Sequence, residues 1–435
     1  MIGKHKLLLI TPYIPYPLFE GGRVAQYGVI DFMRHSFDIT LVVVARNNED
    51  VNSINELKGK WNNVVIEVIN LLPPIQTESK KTKILNAARR TYKRISKKNK
   101  AEGHETYSEF ENSFFINIEV VKDRSFLLQL DSILKKTTYD LVQIDFVDFI
   151  DLVHCIPVAI PKVFVEIEIR YARLDSYAKT LGRKPDAYES YILKKVKQEE
   201  LSLLKLYDGV IALSNDDKRK LDQHLEPGFV ISSPFPVMDD QFRKPAIEKL
   251  KINKLVILGG EDHYPNKDAF EWFVNELQPT MKPSAQLPVH VVGKWKSETK
   301  ELYADKKHIH FAGFVDDLIS YCENSILIVS IRIGSGIRTK ILYGMAQGTP
   351  IISTSLGCEG LPVTNQKELW IANNAKEFEA AIQTIAESPE KALKVVTEAQ
   401  KLVKQEFSQS AVADIRGKYF NNLIGASKGA ARASY

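Results

Sequence analysis

Cysteine is scarce in this sequence of 435 residues, which contains only Cys155, Cys322 and Cys358. Their wide spacing excludes a disulfide framework and matches none of the paired spacings of a structural metal site. Each is most simply a small buried hydrophobic side chain. The cysteine count therefore favours a reducing compartment, in which thiols stay free.

Long apolar runs are also missing. The first one, Leu7–Ile10, is far shorter than the apolar region of a signal peptide, and no run approaches the roughly 20 residues that a membrane-spanning helix needs. There is no Gly-Lys-Ser/Thr Walker sequence, and Thr339 stands where the third glycine of a dinucleotide fingerprint would fall. We therefore expect a cytoplasmic protein whose glycine turns are neither a P-loop nor a dinucleotide loop.

One segment in the C-terminal half has the pattern of a phosphate site. The apolar run Ile326–Ile331 predicts a buried strand, and the glycines at 334 and 336 predict a tight turn that leads into an amphipathic helix. Arg338 and Lys340 fall in the expected first turn of that helix, where the helix dipole disfavours cations. Their position indicates that a bound anion compensates them, although a solvated helix start is the simpler alternative.

Apolar strands alternate with helical stretches along the whole chain. This alternation predicts an α/β fold in which parallel sheets are covered by helices on both faces, and the length fits two domains. The stiff passage Ser232–Pro236 precedes a second alternation that begins at Lys254, so we place the domain boundary there. The predicted strands of the first domain are Lys6–Thr11, Ile39–Ala45, Val64–Ile69, Leu141–Ile144, Lys162–Val165 and Gly209–Leu213.

Several segments, in order and spacing, resemble the GT-B, family-4-type retaining glycosyltransferases (glycosyl transferases group 1). The most specific is the glycine turn with its helix and the following Gly-Cys-Glu-Gly-Leu segment. The other matching segments are Pro15–Gly22, Ile211–Ser214, Leu258–Leu277 and His310–Leu318. The resemblance covers most of the chain and is more specific in the C-terminal half.

The resemblance implies two Rossmann-like, doubly wound domains that face a central cleft, with a last helix that crosses back to the first domain. It implies a nucleotide-sugar donor, UDP- or GDP-linked, as co-substrate, with no metal ion and no other cofactor. The expected parts are an acceptor domain at 1–232 plus 410–424 with a basic insertion at about 76–125, a donor domain at 233–409, and a tail or cloning remnant at 425–435.

The same resemblance assigns the donor site residue by residue. Arg338 and Lys340, with Lys267, would stabilise the leaving diphosphate, and the backbone of Gly313 and Phe314 would contact the base. The alternatives are that Lys267 is a solvent-facing lysine and that Phe314 is a core residue. The full set of expected donor residues is Gly21, Gly22, Gly260, Lys267, Gly313, Phe314, Ser335, Gly336, Ile337, Arg338, Lys340, Tyr343 and Glu359.

The sequence departs from the family pattern at two positions of this site. The family often carries two glutamates, which contact the donor sugar and the ribose, where this chain has Ser335 and Tyr343. A serine hydroxyl can still hydrogen-bond a sugar, and a tyrosine can bond or stack on a ribose. The charged acceptors are lost, however, which puts the identity of the sugar and the turnover itself in question.

Candidate catalytic groups on the acceptor side follow two strands of the first domain. Glu166 and Glu168 would share one face if their strand continues, so one of them is a candidate to orient or deprotonate an acceptor hydroxyl. Asp145 is a further candidate, because ligands of such folds meet the carboxyl ends of strands. We count Arg338 with these as a catalytic residue. Solvated strand-end acids are the alternative reading of the glutamates.

The segment Lys80–Lys100 holds ten basic residues and no acidic one, while the chain totals +5, so the remainder is −5. Apolar residues at helical spacing within it predict a basic amphipathic helix that can lie on an anionic membrane surface, at the inner face of the membrane. An ordinary solvated helix is the alternative. Liposome binding that a charge-reversed variant loses would separate them. Tyr92 is the only aromatic residue of the segment, so we expect no nucleic-acid role.

These patterns predict a retaining glycosyltransferase that transfers a sugar from a nucleoside-diphosphate sugar to a hydroxyl of a glycan or lipid-linked acceptor. The expected setting is cell-surface polysaccharide or glycoconjugate biosynthesis. Two alternatives remain from the sequence: a GT-B binding or partner subunit without turnover, which the missing glutamates suggest, and a nucleotide-sugar epimerase of the same architecture.

Overall fold

The computed structural model describes residues 4–18, 21–72, 122–180, 183–243, 251–334 and 336–433. Within these ranges the chain forms two parallel sheets, each covered by helices on both faces. The predicted α/β architecture with two Rossmann-like halves is therefore confirmed. The basic segment Lys80–Lys100 and most of the expected insertion lie outside the described residues.

The first sheet has seven parallel strands in the order β3-β2-β1-β4-β5-β6-β7. The bounds of its first six strands agree with the predicted runs to within a residue or two, because each run is apolar enough to be buried from both faces, and the seventh strand was not predicted. The strands are β1 Lys6–Ile10, β2 Asp38–Ala45, β3 Val64–Asn70, β4 Leu141–Asp145, β5 Lys162–Glu166, β6 Gly209–Ala212 and β7 Val230–Ser232.

Helices of the first domain connect these strands, and four of them begin with side-chain caps, at Asn47, Asp123, Asp186 and Ser214. Asp186 and Glu189 form a reciprocal capping box, and Ser214 accepts the backbone N–H of Asp217. The helices are α1 Gly21–Met33, α2 Asn48–Lys60, α3 Arg124–Lys136, α4 Arg170–Thr180, α5 Ala187–Leu204 and α6 Asn215–Asp222, and a 3₁₀ stretch spans Val147–Cys155.

The second sheet has six parallel strands in the order β10-β9-β8-β11-β12-β13. They are β8 Lys254–Leu258, β9 Val289–Val292, β10 Ile309–Gly313, β11 Ser325–Val329, β12 Ile351–Ser353 and β13 Trp370–Ile371. The two sheets share one topology: strand order reverses beside β1 in the first and beside β8 in the second, and ligands of such sheets bind at this reversal.

Helices of the second domain follow the same alternation. They are α7 Tyr264–Trp272, α8 Ser297–Leu302, α9 Leu318–Tyr321, α10 Thr339–Gln347, α11 Ala375–Glu387 and α12 Pro389–Glu406. Shorter helical turns occupy Asp239–Gln241, Phe273–Leu277, Gln278–Thr280 and Pro283–Ala285. Each sheet therefore has an apolar core on both faces.

The last helix, α13 Gln409–Ala433, returns to the first domain. Gln409 donates to the carbonyl of Gly28 at 3.2 Å, and Phe420 packs edge-on against Phe37 with ring centroids 6.2 Å apart. Arg416, only 1% exposed, donates to the Ser233 hydroxyl at 3.0 Å. The helix continues to residue 433, into the part of the chain for which the sequence predicted a tail.

Candidate active site

The carboxyl ends of the two sheets meet where the glycine turn after β11 lies against the loop after β5. The Gly334 N–H donates to the Ser176 hydroxyl of α4 at 3.3 Å. Gly336 has φ of +78°, and a Cβ there would stand 3.0 Å from the carbonyl oxygen of Ile167. Conformation and space both require glycine at this position, where the two domains contact each other.

The helix after this turn starts later than the sequence suggested. α10 begins at Thr339, and Arg338 is its N-cap residue, with extended backbone at φ −84° and ψ 95°. Arg338 and Ile337 therefore belong to the turn, and only Lys340 lies in the first helical turn. An N-cap residue flanks the helix and does not have helical backbone angles, so its side chain does not follow the helix surface.

Arg338 lies beside the glycine turn, within range of carboxylates from both domains. One of its guanidinium nitrogens, Nη1, donates to the Gly336 carbonyl, while Nη2 is buried and has no partner among the described residues. Burial lowers the pKa of Arg338, and the carboxylates of Glu168, Glu359 and Asp217 oppose that effect. A buried donor without an acceptor is costly, and the binding of an anion by Arg338 stays a prediction.

Lys340 stands behind the turn and joins it to the second sheet. Its ammonium donates to the carbonyl of Leu258 and, at 2.7 Å, to the side-chain oxygen of Asn266. Burial and the neighbouring Arg338 lower the pKa of Lys340 to about 7. The lysine that the sequence assigned to phosphate binding is thus already engaged in holding the turn, and it is poised between its two protonation states near neutral pH.

The start of α7 forms the adjoining wall. His263 is its N-cap residue and lines the cleft, where desolvation, together with Arg173, Lys340 and Arg338, lowers its pKa to about 4 despite the opposing Glu168. The imidazole is therefore neutral at pH 7.

Two further expected donor residues lie near His263. Gly260 lies just past β8, where a Cβ would stand 3.2 Å from the Lys294 carbonyl, and Lys267 lies half-buried on α7.

The expected base-contacting residues lie at the end of β10. The Gly313 carbonyl accepts the Gly293 N–H at 2.8 Å, which holds this strand end against β9. Phe314 is 58% exposed, so the alternative reading of it as a core residue is wrong. The contact of this ring with a nucleobase stays a prediction.

The remaining donor candidates divide between the cleft and the core. Ser335 lies outside the described residues. Tyr343 packs against the core of the second domain, where burial and Asp240 raise its pKa. Glu359 forms an ion pair with Lys220 of α6 at 3.1 Å, so its partner comes from the other domain.

On the acceptor side, Glu166 and Glu168 do not share a face. β5 ends at Glu166, and the chain bends before Glu168, so the two carboxylates enter different surroundings. Glu166 is 2% exposed, and neither of its oxygens accepts a well-formed hydrogen bond, although the Glu168 N–H is near. Burial and the neighbouring Glu200 raise its pKa well above the usual range.

Glu168 is the charged member of the pair. Burial alone would raise its pKa, but Arg173, His263 and Arg338 together hold it below the usual value. Its Oε2 accepts from Arg173 at 2.9 Å. This carboxylate therefore lies among the cations of both domains, at the point where donor and acceptor would meet.

Asp145, the third candidate, is enclosed at 3% exposure. Its oxygens accept from the side-chain amides of Gln26 and Gln143, each at 2.7 Å. Burial raises its pKa against these hydrogen bonds and the charge of Arg416. The geometry makes it a group that ties α1 to the sheet. Gly21 and Gly22, also expected at the donor site, form the N-terminus of α1.

Sequence reasoning missed four residues of the cleft: Arg170, Arg173, Ser176 and His263. The first three share α4, whose position against the glycine turn depends on an apolar contact between the domains. In that contact Leu174, Ile192 and Val196 pack with Ile333 and Tyr264 of the second domain. A signal existed for His263, which stands directly before the Tyr-Pro that begins α7.

The geometry agrees with comparisons to known proteins. Residues 253–388 match the family model of Glycosyl transferases group 1. A segment of 202 residues is 23% identical to an uncharacterized 44.6 kDa protein in the cps region of Klebsiella pneumoniae. That match covers 44% of this chain and spans half the length of its relative.

Solved structures resemble the whole chain. Sucrose-phosphate synthase from Thermosynechococcus elongatus has a TM-score of 0.67 at 14% identity, covering 97% of this chain and 100% of its own. HepE from Anabaena in complex with UDP has a TM-score of 0.64 at 12% identity, covering 96% and 100%. Staphylococcus aureus TarM in a complex with UDP has a TM-score of 0.65 at 10% identity, with the same coverage. The fold of this chain is GT-B.

Two negative findings apply to the described ranges only. In them no helix is long and apolar enough to cross a membrane. Within the same ranges, no three His, Cys, Asp or Glu side chains gather as a metal site would require. Metal independence and cellular location stay predictions.

Proposed function

We propose that the chain is a retaining glycosyltransferase that uses a UDP- or GDP-linked sugar and glycosylates a hydroxyl of a glycan or lipid-linked acceptor. The observation that supports this best is the buried, unpartnered Nη2 of Arg338 beside the Gly336 turn. The family match of the donor domain and the UDP bound to HepE and TarM agree with it. The Klebsiella relative agrees with a role in surface polysaccharide synthesis.

In the proposed reaction the diphosphate of the donor lies at the glycine turn, where Arg338 supplies the charge that its departure requires. The bond from the anomeric carbon to the phosphate oxygen breaks while the bond to the acceptor oxygen forms on the same face. The acceptor proton passes to the departing phosphate oxygen, so no separate base is needed. Glu168 orients the acceptor between the two domains.

The lost glutamates at 335 and 343 favour one competing function, a subunit that binds nucleotide without turnover. Tyr343 is partly buried against the core of the second domain and carries no charge in place of the lost glutamate. The two functions differ in diphosphate release, because a transferase releases it when an acceptor is present and a binding subunit releases none.

Thermal unfolding with UDP, GDP, ADP and CMP tests the site. A nucleotide at 100 times its dissociation constant stabilises by about 2.7 kcal/mol. We expect a shift with UDP or GDP that Arg338→Ala abolishes and that Lys376→Ala, which removes an exposed lysine of α11, retains. The proposal fails if no nucleotide shifts the unfolding of the parent protein, or if Arg338→Ala responds as strongly.

A further inference from the structure

Gly334, in the glycine turn of the second domain, lies beside charged side chains from both domains. Its φ is +117°, a conformation that glycine adopts far more readily than other residues. A Cβ at this position would stand 3.5 Å from Nη2 of Arg338, 3.7 Å from Oε1 of Glu168 and 3.8 Å from Pro265. Glycine therefore adds no side chain of its own next to these two charged groups.

Each of the two charged side chains has an unused hydrogen-bonding atom at this place. Nη2 of Arg338 is buried and has no partner among the described residues, although a terminal guanidinium nitrogen carries two N–H donors. Glu168 accepts from Arg173 through Oε2, at 2.9 Å, and no described residue donates to its Oε1. The Glu168 side chain is 27% exposed, so a ligand can reach this oxygen.

The guanidinium and the carboxylate do not bond each other directly. Nη2 of Arg338 forms no hydrogen bond to Glu168, although both atoms stand beside Gly334. A group that accepts from the guanidinium and donates to the carboxylate satisfies both sides at once. A hydroxyl has both capacities, whereas an ionised phosphate oxygen only accepts. The place beside Gly334 therefore fits a hydroxyl better than a second phosphate oxygen.

The position of Glu168 also bears on the carboxylate that this chain lacks. The resembling family often contacts the donor sugar with a glutamate where this chain has the uncharged Ser335. Glu168 brings a carboxylate to the same turn from the first domain. Its charged form is favoured there, because Arg173, His263 and Arg338 hold the pKa of Glu168 below its usual value.

We propose that a hydroxyl of the donor sugar bridges Arg338 and Glu168 beside Gly334, so that Glu168 determines which donor sugars bind. This assignment rests on the proposed function, because it concerns the donor of that reaction. One N–H of Nη2 then donates to the diphosphate and the other to the hydroxyl. A carboxylate oxygen accepts more than one hydrogen bond, so Glu168 can still orient the acceptor.

The shared guanidinium nitrogen indicates which hydroxyl forms the bridge. The C2 hydroxyl is attached next to the anomeric carbon, which bears the phosphate, so it is the sugar hydroxyl that reaches a nitrogen already bonded to phosphate. The expected donors are sugars with a free C2 hydroxyl, such as glucose or mannose. Sugars with an acetamido group or a hydrogen at C2 should bind less well.

Calorimetric titration of the full chain tests the bridge with pairs of ligands that differ only at C2. The pairs are UDP-glucose with UDP-2-deoxy-2-fluoroglucose and GDP-mannose with GDP-2-deoxy-2-fluoromannose, because fluorine does not donate a hydrogen bond. We expect one hydroxyl donor to bind about tenfold more tightly than its fluoro analogue, as a hydrogen bond to a charged group implies. Glu168→Gln keeps an acceptor for Arg173 and should reduce this preference to about twofold.

Asp175→Asn is the matched control, because it removes an exposed carboxylate of α4 and should keep the full preference. Glu168→Gln should not weaken the binding of UDP or GDP alone, since neither carries the sugar. Equal affinity within both pairs, a preference that survives in Glu168→Gln, or binding of the nucleotides without their sugar conjugates overturns the inference and leaves the proposed function standing. If neither UDP nor GDP binds the parent protein, the proposed function fails, and the inference fails with it.

Discussion

On the donor side of the cleft, Lys340 donates to two neutral oxygens, those of Leu258 and Asn266. On the acceptor side, burial raises the pKa of both Glu166 and Glu200, and the charge of Glu200 adds to the effect on Glu166. Two sheets of the same topology thus present opposite electrostatic problems at their carboxyl ends. The donor half buries cations, and the acceptor half buries carboxylates.

This difference shows what each half needs from a ligand. In the donor half, burial disfavours the charged form of the cations, and an incoming anion stabilises that charged form. In the acceptor half, the buried carboxylates are stabilised by Arg170 and by backbone N–H groups that donate to Glu200. The comparison leads to three predictions, ordered by the size of the expected effect.

Substitution of Glu200 should have the largest effect on the free energy of unfolding. Glu200 is fully buried and accepts the N–H groups of Arg170 and Tyr171, at 2.8 and 3.1 Å, at the start of α4. Glu200→Ala leaves both donors buried without a partner, and we expect a loss of about 2–4 kcal/mol in the free energy of unfolding. Urea denaturation measures it.

The matched control is Glu199→Ala, which removes the neighbouring, partly exposed carboxylate and should cost under about 1 kcal/mol. The pKa of Glu200 is raised to about 7, chiefly by burial, from 4.5. The folded protein therefore binds more protons than the unfolded chain between these values, and stability falls as pH rises from 4.5 to 7. Glu200→Gln should remove this fall. Equal losses for Glu199→Ala and Glu200→Ala would contradict the assignment.

A second experiment tests the donor half through its lysine. The pKa of Lys340 is lowered to about 7, so above that pH most of this side chain has lost its proton. A bound anion that favours the charged ammonium must therefore cause proton uptake by Lys340. We expect UDP affinity to fall about tenfold between pH 7 and pH 9, with proton uptake that titration calorimetry detects in buffers of different ionisation enthalpy.

Lys340→Met should bind UDP more weakly and lose this pH dependence, since nothing remains to titrate at that position. In the absence of ligand, Lys340 makes stability rise between pH 7 and 10.5, because the unfolded chain then holds the extra proton. A parent protein whose UDP affinity is level from pH 7 to 9 would show that the ammonium stays charged, and the contrast between the two halves would disappear.

The smallest effect concerns the contact that joins the halves. Lys220 and Glu359 form their ion pair across the cleft with side chains 31% and 29% exposed, so it contributes at most about 1 kcal/mol to closure. Lys220→Ala should raise the average radius of gyration in small-angle scattering. The exchange of Lys220→Glu with Glu359→Lys should restore it.

Lys218→Ala is the control, because Lys218 pairs with Asp222 inside the same helix and not across the cleft. If Lys218→Ala raises the radius of gyration as much as Lys220→Ala does, the change comes from the charge of α6. The interdomain ion pair is then not responsible.

The strands were predictable because buried parallel strands are apolar along their whole length, as in Leu7–Ile10 and Val163–Val165. The turn at Gly334 and Gly336 was predictable because its glycines stand between a strand and an amphipathic helix. The sequence predicted a start of α10 that is too early. The helical spacing of Ile337 and Ile341 continues through the N-cap residue, so the pattern does not mark where the helix begins. The environments of Glu166 and Glu168 were misjudged because nothing local marks the end of β5.

Sequence alone determined the two sheets, the glycine turn and the presence of cations beside it, since all of these depend on periodicity and on residues close together in the chain. Only the tertiary structure decided which charges are satisfied. Lys340 donates to Asn266, whereas Nη2 of Arg338 has no partner among the described residues, because the groups around these two cations come from segments distant in sequence. Burial and hydrogen bonding depend on those neighbours, and they set the chemistry of each charge.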